Sequence, residues 1–108
     1  MKLISIKSNS DFKRAYFRGS KKSSKYLTMY VRRVFCKKIK LGITVTKKVG
    51  CAIKRNRARR LIHEAFRTID IGCINYHVVI VAHQSVLNLK MQDVREDILN
   101  LLNYFKIY

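Results

Sequence analysis

Leu41–Thr68 reads LGITVTKKVGCAIKRNRARRLIHEAFRT, and its hydrophobic rhythm changes once along the way. Over Leu41–Thr46 the period is two. Leu41, Ile43 and Val45 point to one side and Gly42, Thr44 and Thr46 to the other, the pattern of a strand with one apolar face. From about Ile53 to Thr68 the period is helical. Ala58, Leu61, Ile62 and Ala65 gather on one side at roughly 100° per residue, while Asn56, Arg59, Arg60, His63 and Arg67 fall opposite. Gly50 marks the break between the two elements. Further on, His77–Ala82 is a continuous apolar run, which suits a central strand covered on both faces.

The flanks extend the same scheme. A first helix begins near Ser8 or Ser10 and stops at Gly19, with Phe12 and Tyr16 four apart and so on one face. A strand follows at about Tyr26–Phe35, with Leu27, Met29, Val31 and Phe35 on one side and Tyr26, Thr28, Tyr30 and Arg32 on the other. The last helix spans about Leu89–Phe105, with Asn88 as N-cap and a core stripe of Met91, Val94, Ile98, Leu101, Leu102 and Phe105. The order is αββαβα, or αβββαβα if the long 20–46 region holds a further break. Either is an α+β fold, a two-layer α/β sandwich on a small mixed sheet. With 108 residues, 48% of them hydrophobic, the chain supports a single domain, residues 1–108, with one modest core.

The charge is distributed very unevenly. The net charge is +18, from 24 basic and 6 acidic residues. Residues 1–60 hold 20 basic residues and one acid, Asp11, or +19, whereas residues 61–108 hold four and five, or −1. Such concentration points to a phosphate-binding face. Its densest part is Lys47–Arg60, where Lys47, Lys48, Lys54, Arg55, Arg57, Arg59 and Arg60 occur with no acid among them. Arginine stays charged and grips phosphate through two hydrogen bonds, and Asn56 adds an amide suited to sugar or base edges. The competing reading is a solvated helix face. The charge of the half-chain and the aromatic and hydroxylic faces of the strands weigh against it. A helix lying on a membrane is disfavoured because its apolar stripe is small and aliphatic and lacks Trp.

Cys36, Cys51 and Cys73 are odd in number, widely spaced and without a Cys-x-x-Cys pair, so neither a disulfide framework nor a structural zinc site is expected. No signal-peptide core and no run of about 18 apolar residues is present, and the expected location is the cytoplasm.

The segment Thr44–Arg67 resembles the signature of the ribonuclease P protein component: Thr-Val-Thr-Lys-Lys-Val-Gly, then Arg55-Asn56-Arg57, then Arg59-Arg60-Leu61-Ile62. Asp11–Gly19 is similar to that family's first helix, Lys25–Tyr30 to its first strand, and Tyr76–Ala82 to the apolar strand before its last helix. The resemblance implies an RNA-binding subunit that assists a catalytic RNA in removing the 5′ leader of precursor tRNA. It implies that the RNA performs the hydrolysis with Mg2+, that the protein supplies no catalytic residue and no metal ligand, and that the partners are ribonuclease P RNA and the leader, with no protein partner. It places Phe12, Tyr16, Tyr30, Thr44 and Thr46 along the leader groove. Arg55, Asn56, Arg57, Arg59 and Arg60 would face the RNA and the leader, with Lys47, Lys48, Lys54 and Arg67 widening the positive field. It also implies a left-handed β–α–β crossover, against the general preference.

Core packing is the competing reading for Phe12 and Tyr16. Cys51 stands where the family often has Asn, which removes a capping side chain. His63 and His83 stand where Arg or Lys is frequent, so neither is counted as a contact. His77 and His83, six apart and without nearby acids, do not make a metal pair. A ribosomal-type structural RNA binder is the alternative function. A stand-alone nuclease is disfavoured because Glu64 is the only acid between Asp11 and Asp70, too few for convergent metal ligation.

Overall fold

The computed structural model describes residues 4–6, 9–34, 40–69 and 76–105. Ser8, Phe35, Cys36, Asp70 and Cys73, which enter the sequence reading, lie outside them. The described elements are β1 (Ile4–Ser5), α1 (Asn9–Arg18), β2 (Ser20–Ser23), β3 (Leu27–Arg33), β4 (Lys40–Thr44), α2 (Ala52–Arg67), β5 (Tyr76–Ala82) and α3 (Met91–Tyr104). Two 3₁₀ turns, Lys47–Val49 and Gln84–Asn88, precede α2 and α3. The longer expected order holds, with the two-residue β1 added in front.

The strands form one mixed sheet in the order β1-β4-β5-β3-β2. β5 sits at its centre, parallel to β4 and antiparallel to β3, as its apolar run requires. The connection from β4 to β5 runs through α2. β2 pairs antiparallel with β3, and β1 pairs parallel with β4.

Alternation then sorts the sheet into two faces. Leu27, Met29, Val31, Leu41, Val78 and Ile80 point to the side covered by α2 and α3, where they join Ala58, Ile62, Ala65, Phe66, Val94, Ile98, Leu101 and Leu102 in one buried core. Phe66 is its largest fully buried side chain. The other face carries three cross-strand rows: Arg32–His77–Lys40, Tyr30–Val79–Gly42 and Thr28–Val81–Thr44. Among the described elements only α1 lies over it, and a smaller cluster of Ile6, Ala15 and Val79 forms there with Phe12, Tyr16 and Tyr30 packed around it.

Two expectations at the start of α3 are corrected. The helix begins at Met91 with Lys90 as N-cap, and Asn88 instead closes the preceding 3₁₀ turn. The Asp93 carboxylate accepts from the Lys90 backbone N–H at 3.3 Å, so the acid at the third helical position does the capping that Asn88 was expected to do. Met91 is consequently at the edge of the helix and 36% exposed, outside the core stripe. The strand expected over Leu41–Thr46 ends at Thr44, because Thr46 opens the first 3₁₀ turn. Gly50 follows that turn at φ 138°, a conformation that side chains resist.

The hairpin of β2 and β3 is tied to α3 through Ser24. Its hydroxyl accepts from the Leu27 backbone N–H at 3.1 Å and donates to the Asp97 carboxylate at 2.6 Å. Burial raises the Asp97 pKa above its ordinary value, and the Ser24 hydrogen bond opposes that rise.

Candidate nucleic-acid interface

The α1-covered face is only half sealed, and its exposed part is aromatic. Tyr16 and Tyr30 meet edge to face with ring centroids 4.9 Å apart, and Phe12 stands 6.4 Å from Tyr16. All three rings are partly exposed. The Tyr16 and Thr44 hydroxyls are hydrogen-bonded at 2.6 Å, fixing helix to sheet across the trough. Gly42 makes room for this arrangement. A Cβ there would lie 2.6 Å from Phe12 Cε1, so the ring rests directly on the β4 backbone. The core-packing reading of Phe12 is therefore met in part, since its ring packs on the sheet while the residue stays partly exposed.

Register adds a residue that the sequence pattern did not single out. Lys21 of β2 lies opposite Tyr30, and its Nζ is 5.9 Å from the Tyr30 ring centroid. Arg32 and Lys40 flank the other end of the same face on either side of His77. Burial lowers the His77 pKa, so its imidazole is disposed to stay neutral between two cations. The missing signal for Lys21 was β2 itself, whose four residues have no apolar alternation to show.

Thr46 falls beyond the end of β4 and is exposed. It lines a cleft of about 430 Å³ with Lys48, Val81, His83 and Gln84. Val81 belongs to the Thr28–Val81–Thr44 row, so this cleft continues the trough past Thr44. His83 is fixed in its wall by the Thr28 hydroxyl, at 2.7 Å from Nε2. Gln84 in turn lines a second depression with Lys54 and Arg57 of α2. Rings, cleft and basic helix thus form one continuous surface.

On α2 the expected polarity is present. Ala58, Ile62, Ala65 and Phe66 are buried, and Lys54, Asn56, Arg57, Arg59, Arg60, His63 and Arg67 are exposed. The contacts among these exposed groups are local. Arg59 donates to the Asn56 side-chain oxygen at 3.3 Å, and Arg67 pairs with Glu64 at 2.6 Å. Arg55 is partly buried, and its Nε has no hydrogen-bond partner among the described residues. Lys47 and Lys48 are exposed on the turn before the helix. Cys51 is the N-cap residue without a side-chain capping bond, which matches the loss expected there. The backbone amides of the first helical turn, that of Lys54 foremost, nonetheless point their dipoles toward the thiol and lower its pKa without forming a capping bond.

Among the described residues no three His, Cys, Asp or Glu side chains are grouped to hold a metal, and no helix is long and apolar enough to cross a membrane. A half-open aromatic sheet face running into a cationic helix defines a class: small α+β proteins that bind single-stranded or structured polynucleotide.

Comparison with known proteins makes the assignment particular. The profile of the family described as Ribonuclease P matches residues 1–106. The ribonuclease P protein component of Clostridium botulinum (strain Loch Maree) is 34% identical over 110 residues, covering 100% of this chain and 99% of that protein. The ribonuclease P protein component of Clostridioides difficile is 39% identical over 99 residues, covering 90% and 87%. The Staphylococcus aureus RNase P protein structure superposes with a TM-score of 0.86 at 26% identity, covering 99% of each chain. The Thermotoga maritima protein gives 0.78 at 26% identity, covering 90% and 93%. The chain belongs to the ribonuclease P protein family. It is a subunit of that ribonuclease and a partner of its RNA, and the ribosomal alternative is not favoured.

Proposed function

We propose that the trough of Phe12, Tyr16, Tyr30 and Thr44 holds the 5′ leader of precursor tRNA, and that the α2 ridge meets the ribonuclease P RNA beside the cleavage site. The observation that carries this reading is continuity. Tyr30 leads through Thr44 and Val81 to the cleft of Thr46 and Lys48, and Gln84 joins that cleft to Lys54 and Arg57. A single strand laid along this path stacks its bases on rings at one end and delivers its phosphates to cations at the other. Ring stacking contributes about 1–3 kcal/mol per base with little sequence preference, which suits leaders of many sequences. Hydrolysis itself is assigned to the RNA and its magnesium ions, and the protein acts by binding and positioning in the cytoplasm.

Reconstitution tests the proposal. The protein is mixed with a bacterial ribonuclease P RNA at low magnesium and precursor tRNA cleavage is followed, with each component alone as control. Cleavage should need the RNA and be raised by the protein. Arg55→Ala and Arg59→Ala should weaken RNA binding with the fold intact. Cleavage by the protein alone, or variants that bind like the parent, would overturn the proposal.

A further inference from the structure

One surface borders the path from trough to ridge and shares Arg57 with it. Ile53, in the first turn of α2, is 80% exposed, and Met91, at the start of α3, is 36% exposed. They line one notch of about 600 Å³ together with Leu61, and its rim carries Arg57 and Arg60. The notch lies in the helical layer, on the opposite side of the sheet from the aromatic trough. Apolar side chains gathered in an exposed concavity mark a binding site more than chance exposure does.

What stands beside the notch identifies the ligand chemistry. Arg57 is also a wall of the neighbouring depression, about 550 Å³, which is lined by Lys54, Gln84, Ser85, Leu87 and Asn88. An apolar floor therefore lies one side chain away from a depression in which two cations, two amides and a hydroxyl surround Leu87. The one acid on the notch, Glu64, is answered by Arg67 at 2.6 Å. This juxtaposition fits a group that is flat and apolar at one end and anionic at the other. The cationic rim disfavours a basic peptide, and the concave shape disfavours a lipid surface.

We propose that the two depressions on either side of Arg57 hold one nucleotide turned out of the stack of the partner RNA. The base lies in the notch against Ile53, Leu61 and Met91, and its phosphate lies on Lys54 and Arg57. Nucleotides in loops and bulges are the natural occupants, since they can be splayed out and stacked on apolar or guanidinium surfaces. The proposal rests on this chain's partnership with ribonuclease P RNA and adds a base-binding subsite to it, separate from the leader trough.

Methionine methyl labelling gives a direct test. The chain has three methionines, Met1, Met29 and Met91; Met29 is fully buried, and the Met91 methyl resonance, identified as the one lost in Met91→Leu, reports the notch. Adenosine 5′-monophosphate should shift that resonance, whereas ribose 5-phosphate and inorganic phosphate should not. Ile53→Ser should abolish the shift and Arg57→Ala should weaken it. In the complex with ribonuclease P RNA, Ile53→Ser should reduce affinity about three- to tenfold, the loss of one modest apolar contact, and leave leader affinity unchanged. Equal shifts from all three phosphates, no shift from adenosine monophosphate or the RNA, or parental RNA affinity in Ile53→Ser would each overturn the proposal. So would a shift produced by an apolar peptide and not by nucleotide. If the unsubstituted chain failed to bind the RNA at all, the functional reading beneath it would fall instead.

Discussion

The two faces of the sheet are built from the same strands and serve opposite ends. Met29 and Tyr30 are chain neighbours. Met29 is sealed under α2 and α3 with Phe66, Ile62 and Leu102, whereas Tyr30 stands half exposed beside Tyr16 under α1 alone. The first face has two helices and aliphatic side chains that close-pack and exclude water. The second has one helix and rings that touch by their edges, leaving aromatic surface outside. The comparison teaches that a period of two lets one strand give alternate residues to a sealed core and the residues between them to an open aromatic face, so each set can change with little effect on the other.

The largest expected effect tests the sealed face. Phe66→Ala removes the largest fully buried side chain and should cost about 3–5 kcal/mol of unfolding free energy, read by denaturant titration. Leader affinity per folded molecule should be retained. A smaller effect probes the seam where a backbone from one face supports a ring of the other. Gly42→Ala drives a Cβ into the Phe12 ring and should cost about 1–3 kcal/mol. It should also lower leader affinity, because the ring must move. If neither quantity changes, Phe12 is not held by β4.

Tyr30→Ala addresses the open face. It should lose about 1–3 kcal/mol of leader binding, with a smaller stability loss than Phe66→Ala and unchanged affinity for mature tRNA. Its log–log salt dependence should match the parent, since the ring carries no charge. Arg55→Ala and Arg59→Ala should instead lower the slope by about 0.7 for each single-strand phosphate released. Equal salt slopes in ring and arginine variants would erase the division of labour between trough and ridge.

The smallest effect is pH-dependent. Burial holds the His77 pKa below its ordinary value, so the folded state binds this proton less readily than the unfolded chain. Stability is then full above about pH 6.5 and is lost as pH falls from there toward the folded-state value. His77→Gln should flatten this part of the stability–pH curve. A curve unchanged by the substitution would place the dependence elsewhere.

Residue order alone determined the periodicities, and these were enough for α1, β3, β4, α2, β5 and α3 in their order, the buried stripe of α2, the central place of β5 and the basic ridge. They are local properties, written every two or 3.6 residues. The resemblance supplied the aromatic set. Tertiary structure decided what depends on register and on where elements stop. β1 and β2 are too short and too polar to announce themselves, yet β2 brings Lys21 to Tyr30. Asn88 is a good capping residue by type, but the chain spends it in a 3₁₀ turn and caps α3 through Asp93. The joining of trough to ridge through Val81, His83 and Gln84 was likewise invisible, because those residues meet Thr44 and Lys54 only once the strands are aligned and α2 is laid across them. Period is set by covalent neighbours, whereas adjacency is set by which distant surfaces bury one another.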